Sequence, residues 1–212
     1  MAVIHPDLSP CFGEVFPEAG CDESGRGCLA GPVFAAAVIL PLNLEKTLFA
    51  GLNDSKQLSP KSRLLMREVI KANALSYGIG VVDHAAIDEV NILRASHMAM
   101  HLALEQLDPQ PEMIIVDGNR FTPYRNVPYE CIVKGDAAYL SVAAASVLAK
   151  TARDEFMLEL HLKHPQYGWD RNKGYATREH QCAIDKYGLS PYHRRSFGCA
   201  RQMRLHFPVA PK

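Results

Sequence analysis

The sequence predicts an α/β fold, and three observations carry that reading. Apolar runs of strand length recur at residues 33–40, 77–82, 113–116 and 129–133, each bounded by Gly, Pro or polar residues. Between them lie stretches with helix caps or helical apolar spacing, at about residues 60–72, 88–107 and 143–162. Acids stand at strand ends beside glycine, where open sheets bind their ligands. A chain of 212 residues that is 48% hydrophobic and 22% charged is of ordinary soluble composition, and residues 1–212 are expected to form a single domain.

Residues 1–17 carry Pro6, Pro10 and Pro17 without a period, which predicts an irregular lead-in. A strand carrying Asp22 should follow. After the turn at Gly31-Pro32, the apolar run at 33–40 should pair with it antiparallel as a hairpin, ending at Pro41. Residues 52–59 read as a polar loop whose Ser59-Pro60 supplies an N-cap and first-turn proline for a helix to about Ala72. A strand is expected at 77–82; Gly78-Ile79-Gly80 within it lacks the rest of a dinucleotide-binding loop. Leu93, Met100, Leu104 and Leu107 then recur at helical spacing, so one helix is expected over about 88–107, stopped by Pro109 and Pro111.

His97 lies on that apolar stripe and reads as a core histidine. His101, four residues on, would need a third ligand before the pair could hold a metal. The run at 113–116 is apolar throughout, as buried strands are, and ends at Asp117-Gly118-Asn119; the strand at 129–133 ends at Lys134-Gly135-Asp136. Small residues at 143–149 begin a helix suited to close contact with a sheet, continuing to about Leu162. About residues 165–212 read as a small, basic, helical C-terminal part rich in glycine punctuation.

Charge and cysteine usage narrow the function classes. No apolar run reaches membrane-spanning length, and the start lacks a basic head followed by an apolar core, so a cytoplasmic protein without a membrane partner is expected. Without such a leader, the glycosylation match at Asn53-Asp54-Ser55 has no meaning. Six cysteines without a Cys-x-x-Cys pair argue against a zinc site or a disulfide framework. The formal net charge is zero, yet residues 171–212 hold nine Lys/Arg against two Asp/Glu. A basic region facing an acidic remainder suits a phosphate-gripping surface beside a cation site, although a solvated basic helix would look the same.

The chemistry concentrates in Gly20-Cys21-Asp22-Glu23-Ser24-Gly25-Arg26-Gly27. Paired carboxylates are hard cation ligands, and glycines let backbone donors approach a nucleic-acid backbone closely. With Asp117 and Asp136, three acid sets follow apolar strands beside glycine. Converging carboxylates repel one another unless cations sit between them, and a two-cation cluster serves in-line phosphodiester hydrolysis. Acids that merely cap strands explain each set singly but not the three together. Lys56, Arg194 and Arg195 are candidate phosphate contacts, with solvated charge as the alternative. Asp154, four residues after Lys150, reads as an ion-pair partner rather than a metal ligand, and Ser146 reads as packing in its alanine-rich helix rather than as half of a Ser/Lys nucleophile pair.

The ordered set 21–27, Leu29-Ala30-Gly31-Pro32-Val33, Asn53-Asp54-Ser55-Lys56, Asp117-Gly118-Asn119, Lys134-Gly135-Asp136, residues 143–150 with Arg153-Asp154, and Lys173-Gly174-Tyr175 resembles bacterial ribonuclease HII over roughly residues 18–198. Cys28 stands where that family usually has proline, and Ser24 where alanine or valine is frequent; neither change removes a functional group. The resemblance implies an RNase H-like fold, a mixed β-sheet flanked by helices, with Asp22, Glu23, Asp117 and Asp136 binding Mn2+ or Mg2+, two ions during catalysis. It also implies that the backbone of Gly25, Arg26 and Gly27 reads the ribose 2′-hydroxyl and that Tyr175 stacks on the sugar of the next deoxynucleotide. The implied substrates are RNA/DNA hybrids and duplex DNA with embedded ribonucleotides, cut 5′ of the ribonucleotide to leave a 3′-hydroxyl and a 5′-phosphate, by a monomer. Another RNase H-like nuclease such as a resolvase would share the acids but not the Gly-Arg-Gly and Lys-Gly-Tyr pair, and a non-catalytic RNA/DNA-binding module would not need four acids. The ribonuclease HIII type, with its extra N-terminal substrate-binding domain, is not expected, since only about 17 residues precede the resemblance. Gln202-Met203-Arg204-Leu205-His206-Phe207 resembles a sliding-clamp peptide only loosely, its spacing before the aromatic being wrong.

Overall fold

The structure, a computed structural model, describes residues 8–49, 51–52 and 58–198. Five strands form one mixed sheet in the order β3-β2-β1-β4-β5. They are β1 (Glu18–Ser24), β2 (Val33–Ile39), β3 (Ser76–Val82), β4 (Met113–Asp117) and β5 (Tyr129–Ile132). The expected hairpin is present: β1 pairs antiparallel with β2, and β2 antiparallel with β3, while β1–β4 and β4–β5 are parallel. Helices cover both faces, which is why every side chain of β2 is buried and its sequence shows no polar alternation.

The pleat sorts the two faces residue by residue. Ala19 and Cys21 of β1 and Val33, Ala35, Ala37 and Ile39 of β2 meet Ala95, Ala99, Met100, Ala103 and Leu104 of α3 (Ile92–Leu104). Ala36 and Val38 face the other way, onto Ile70 of α1 (Pro60–Asn73) and the alanine-rich start of α4 (Leu140–Lys163). Small residues on both sides bring helix and sheet close. A Cβ on Gly78 or Gly80 would overlap the carbonyl oxygens of Ala103 and Ala99, so this glycine pair answers to packing and not to a nucleotide.

Two element boundaries differ from expectation. The single helix expected over 88–107 is two, α2 (His84–Val90) and α3, broken at Asn91 with φ of 71°. Asn91 ends the first helix and caps the second, its Oδ1 accepting from Leu93 N at 3.0 Å and Arg94 N at 3.2 Å. Helix α4 begins at Leu140, before the alanine run, because Leu140 N donates to Ser9 O at 2.9 Å while Ser9 N donates to Ala138 O. The lead-in thus ties down the start of the longest helix. Ser59 caps α1 as expected, accepting from Ser62 N at 3.1 Å. His97 is buried, with Nδ1 on Thr122 Oγ1, and His101 Nε2 lies 2.9 Å from Thr122 O, so both rings serve the same loop. Among the described residues the cysteines are free, and no helix is long and apolar enough to cross a membrane.

Beyond α4 the chain forms a third cluster in which Leu29, Ala30, Met157 and Leu160 meet Tyr167, Trp169 of α5 (Trp169–Asn172) and Ile184 of α6 (Arg178–Tyr187). Two buried histidines lock it, and their donors define their tautomers. Trp169 Nε1 donates to His180 Nε2 at 3.1 Å, leaving His180 Nδ1 to donate to Tyr175 O at 2.9 Å. Ser190 N donates to His193 Nδ1 at 2.9 Å, so His193 Nε2 carries the proton and donates to His180 Nε2 at 3.1 Å. Both rings are neutral in this network. Burial, and then the neighbouring His180, pushes His193 down to about 3.

A depressed histidine binds its proton only after unfolding, so its contribution is fully present above the ordinary value near 6.5 and drains away as pH falls from there toward 3. In urea unfolding, His193 should therefore contribute a fall in stability between pH 6.5 and pH 5 of up to about 1.4 kcal/mol per pH unit, added to that of the likewise depressed His180 and His97. His193→Gln should flatten that slope; an identical slope in wild type and variant would remove His193 as its source.

Candidate active site

The site begins with a glycine. On the α4 side of β1, Gly20 sits under the first turn of α4, where a Cβ would overlap the Ser141 carbonyl carbon and Val142 nitrogen. The helix therefore lies directly on the strand, and Ser146, a turn and a half along, reaches the next residue on that face. That residue is Asp22, and the Ser146 hydroxyl donates to its carboxylate. Opposite Asp22 on β2 is Ala36, too small to fill the space above the carboxylate.

Strand register supplies the second acid. Cys21 pairs with Val116 in the parallel β1–β4 ladder, and one step further the two chains reach Asp22 and Asp117 side by side. Asp117 is held at its base by Gly135 N, which donates to Oδ1 at 2.8 Å. Glu23 N donates to Asp22 Oδ1 at 2.6 Å, and the Glu23 side chain accepts from Arg26 Nη1 at 3.1 Å. Burial first, then the Glu23 charge and that of Asp117, holds the Asp22 carboxyl well above the usual carboxylate range.

These groups open into a cleft of about 240 Å³ lined by Asp22, Glu23, Asp117, the loop 24–27, Ser146, Lys150 and Tyr175. Lys150 Nζ bonds Asp154 Oδ1 at 2.6 Å, with Arg63 at 3.9 Å from the same carboxylate, and Nζ stands 5.6 Å from the Tyr175 ring centre. The Tyr175 hydroxyl shares a hydrogen bond with the buried Cys28 thiol, and the residue is 39% exposed. Asp136 is buried in the 3-10 turn Gly135–Ala137, next to the residue that holds Asp117, and does not line the cleft.

The remaining expected contacts divide. Arg194 is corrected: it is 1% exposed and its three nitrogens donate to Gly31 O, Arg26 O and Pro32 O at 2.9–3.2 Å, so it holds the chain and cannot meet a phosphate. Arg195 is exposed outside the cleft lining, its backbone held by Asp88 Oδ2 at 2.7 Å. Lys56 and the clamp-like segment at 202–207 lie outside the described residues. Ser146 and Lys150 are cleft residues that the sequence reading assigned to packing and to an ion pair. Their signal was two polar residues at i, i+4, the first of them interrupting the apolar run 142–149 and the second ending it.

Could these groups hold a metal? Among the described residues, no three His, Cys, Asp or Glu side chains stand close enough to form a metal shell. The donor chemistry nevertheless suits a hard divalent cation, since the ligands offered are carboxylate oxygens. Charge is also gathered at Asp22 against its own burial, a penalty that a cation would relieve. Asp22, Glu23 and Asp117 share the cleft, with Asp136 behind them.

Comparisons with known proteins agree in one direction. The model of the family "Ribonuclease HII" matches residues 19–207. Ribonuclease HII of Porphyromonas gingivalis is 57% identical over 190 residues, covering 90% of this chain and 93% of that protein. Ribonuclease HII of Bacteroides thetaiotaomicron is 52% identical over 202 residues, covering 94% and 100%. Among solved structures, ribonuclease H2 from Pyrococcus horikoshii superposes with a TM-score of 0.74 at 28% identity, over 89% of this chain and 97% of that one. RNase HII from Archaeoglobus fulgidus, solved as a complex with PCNA, gives 0.70 at 25% identity, over 86% and 96%. Bst-RNase HIII in complex with Mn2+, at 20% identity and a TM-score of 0.65 over 89% and 69% of the two chains, shares the fold.

Without metal, keeping Asp22 ionised in its buried place beside Glu23 and Asp117 should cost stability. In EDTA, Asp22→Asn should melt above wild type by roughly 2–4 °C for each kcal/mol of repulsion relieved. Added Mg2+ or Mn2+ should raise the wild-type melting temperature more than the variant's. Melting curves unmoved by either change would mean that the acids do not act on one another.

Proposed function

The chain belongs to the ribonuclease HII family, and from that premise we propose that it cuts on the 5′ side of ribonucleotides embedded in duplex DNA, with Asp22, Glu23, Asp117 and Asp136 as its metal-binding acids. As a member it is an endoribonuclease acting on the RNA strand of RNA/DNA hybrids, in a family that depends on divalent metal ions. The observation that carries the finer reading is the meeting in one cleft of Asp22, Glu23 and Asp117 with the backbone of Gly25-Arg26-Gly27 and the Tyr175 ring. Acids for hydrolysis and groups for recognising a ribose thus line the same cleft.

Mn2+ or Mg2+, when bound, supplies activation of the attacking water and stabilisation of the leaving oxygen, so that the product ends are a 3′-hydroxyl and a 5′-phosphate. The protein's own groups do the rest. Asp22, anchored by the Ser146 hydroxyl, and Asp117, anchored by Gly135 N, present their carboxylates from adjacent strands at fixed separation. Asp136 completes the set from the turn behind Asp117. The 2′-hydroxyl distinguishes RNA from DNA locally, and the side-chain-free backbone at Gly25 and Gly27 can approach it. Lys150, restrained by Asp154, places a positive charge at the cleft wall where a phosphate would pass. Because the Tyr175 hydroxyl turns toward Cys28, its ring is the part offered to a sugar.

The deciding experiment is cleavage of a DNA duplex holding one ribonucleotide, with Mg2+ or Mn2+ and with EDTA. Asp22→Asn or Asp117→Asn should lower kcat by orders of magnitude while duplex binding survives; wild-type rates in either variant would overturn the assignment. Tyr175→Ala should lower kcat/KM on that duplex by about 10-fold or more, as losing a stacked ring does elsewhere, with Tyr175→Phe much nearer wild type. A Phe variant as poor as the Ala variant would reject the ring as the working part.

A further inference from the structure

The loop proposed to read the ribose and the tyrosine proposed to read the next sugar come from segments about 150 residues apart, and one buried guanidinium joins them. Arg153 rises from α4 with no exposed surface. Its Nε donates to Pro32 O at 3.1 Å and its Nη2 to Ala30 O at 3.1 Å, both on the chain that leaves the Gly25-Arg26-Gly27 loop. Its Nη1 donates to Lys173 O at 2.9 Å, two residues before Tyr175. The two segments also touch directly, through Leu29 N donating to Gly174 O at 2.8 Å and through an antiparallel bridge between Cys28 and Tyr175.

Both reading elements lie on this guanidinium. Gly25, at φ of 100°, crosses it so closely that a Cβ would land on Arg153 Nε. The Tyr175 ring centre is 5.8 Å from Arg153 Cζ. Arg194 backs the loop from the other side, sharing the Pro32 carbonyl with Arg153 and holding Arg26 O at 2.9 Å. Two guanidiniums buried on neutral carbonyls carry a desolvation cost that aliphatic side chains of the same volume would avoid. What an aliphatic side chain lacks is a rigid planar fork whose donors hold carbonyls of two separate segments at one spacing.

We propose that Arg153, with Arg194 in support, is the positioning residue that sets the separation between the Gly25-Arg26-Gly27 backbone and the Tyr175 ring, and thereby the enzyme's selectivity for an RNA-to-DNA junction. This rests on the function proposed above. A single embedded ribonucleotide must satisfy both elements at one spacing, because only one ribose and one following deoxyribose are available. A long hybrid offers a ribose at every step of the strand, so a loosened spacing costs it less.

The test measures kcat/KM for Arg153→Lys, Arg153→Met and Arg194→Lys on a DNA duplex with one ribonucleotide and on a long RNA/DNA hybrid, alongside melting temperatures. Leu104→Ala, in the core between α3 and the sheet and away from the cleft, serves as the control for lost stability alone. The ratio of the two kcat/KM values should shift against the single ribonucleotide by about 10-fold in the Arg153 variants, in keeping with the cost of misplacing a group by a fraction of an ångström to an ångström. Arg194→Lys should shift it in the same direction by less, and Leu104→Ala should lower the melting temperature with the ratio unchanged. If Arg153→Met does not fold, the two lysine variants, which keep charge and most of the volume, decide the matter. A ratio unmoved in both lysine variants overturns the positioning role. A wild-type chain that cuts neither substrate overturns the function itself, which is a different result.

Discussion

The parallel pairing of β1 with β4, under a helix that lies directly on β1, is the constraint from which the site follows. Register places Asp22 and Asp117 at the same level on neighbouring strands, and the pleat turns Asp22 toward α4. Gly20 removes the one side chain that would hold α4 away, and the Ser146 hydroxyl is then delivered to Asp22. The arrangement works against stability, because burial and the neighbouring carboxylates both disfavour the ionised Asp22 that chemistry requires. The rest of the sheet supports this tension with a tightly apposed core of alanines and glycines between strands and helices.

A second unit is assembled against the first by polar groups that face inward. Tyr175 is held from three directions: His180 Nδ1 on its carbonyl, the Cys28 bridge on its backbone, and Arg153 on the carbonyl of Lys173. Neutral histidines and buried arginines are costly where only packing is needed. Here they fix carbonyl positions, and those positions decide where a loop and a ring present themselves to a substrate. Cys28 belongs to the same unit through its hydrogen bond with the Tyr175 hydroxyl.

Much of this was legible in the amino-acid sequence. Local patterns determined the strands around Asp22 and Asp117, the hairpin, the capped start of α1 and the buried role of His97, because each depends on neighbours within a few residues. Motif order determined the family, and with it the candidate acids and the Gly-Arg-Gly and Lys-Gly-Tyr pair. Tertiary structure alone decided the rest. Asn91 split an apparently continuous helix, since apolar spacing carries no information about one residue at positive φ. Arg194 looked like a phosphate contact because charge predicts exposure; whether a guanidinium meets water or three carbonyls depends on residues more than 160 positions away. Ser146 and Arg153 were hidden for the same reason, their roles being set by the depth at which α4 settles on Gly20 and by the carbonyls that this depth brings within reach. Residue types and their order specify which chemistry is available, whereas the distances at which it operates arise only when strands, helix and C-terminal cluster close on one another.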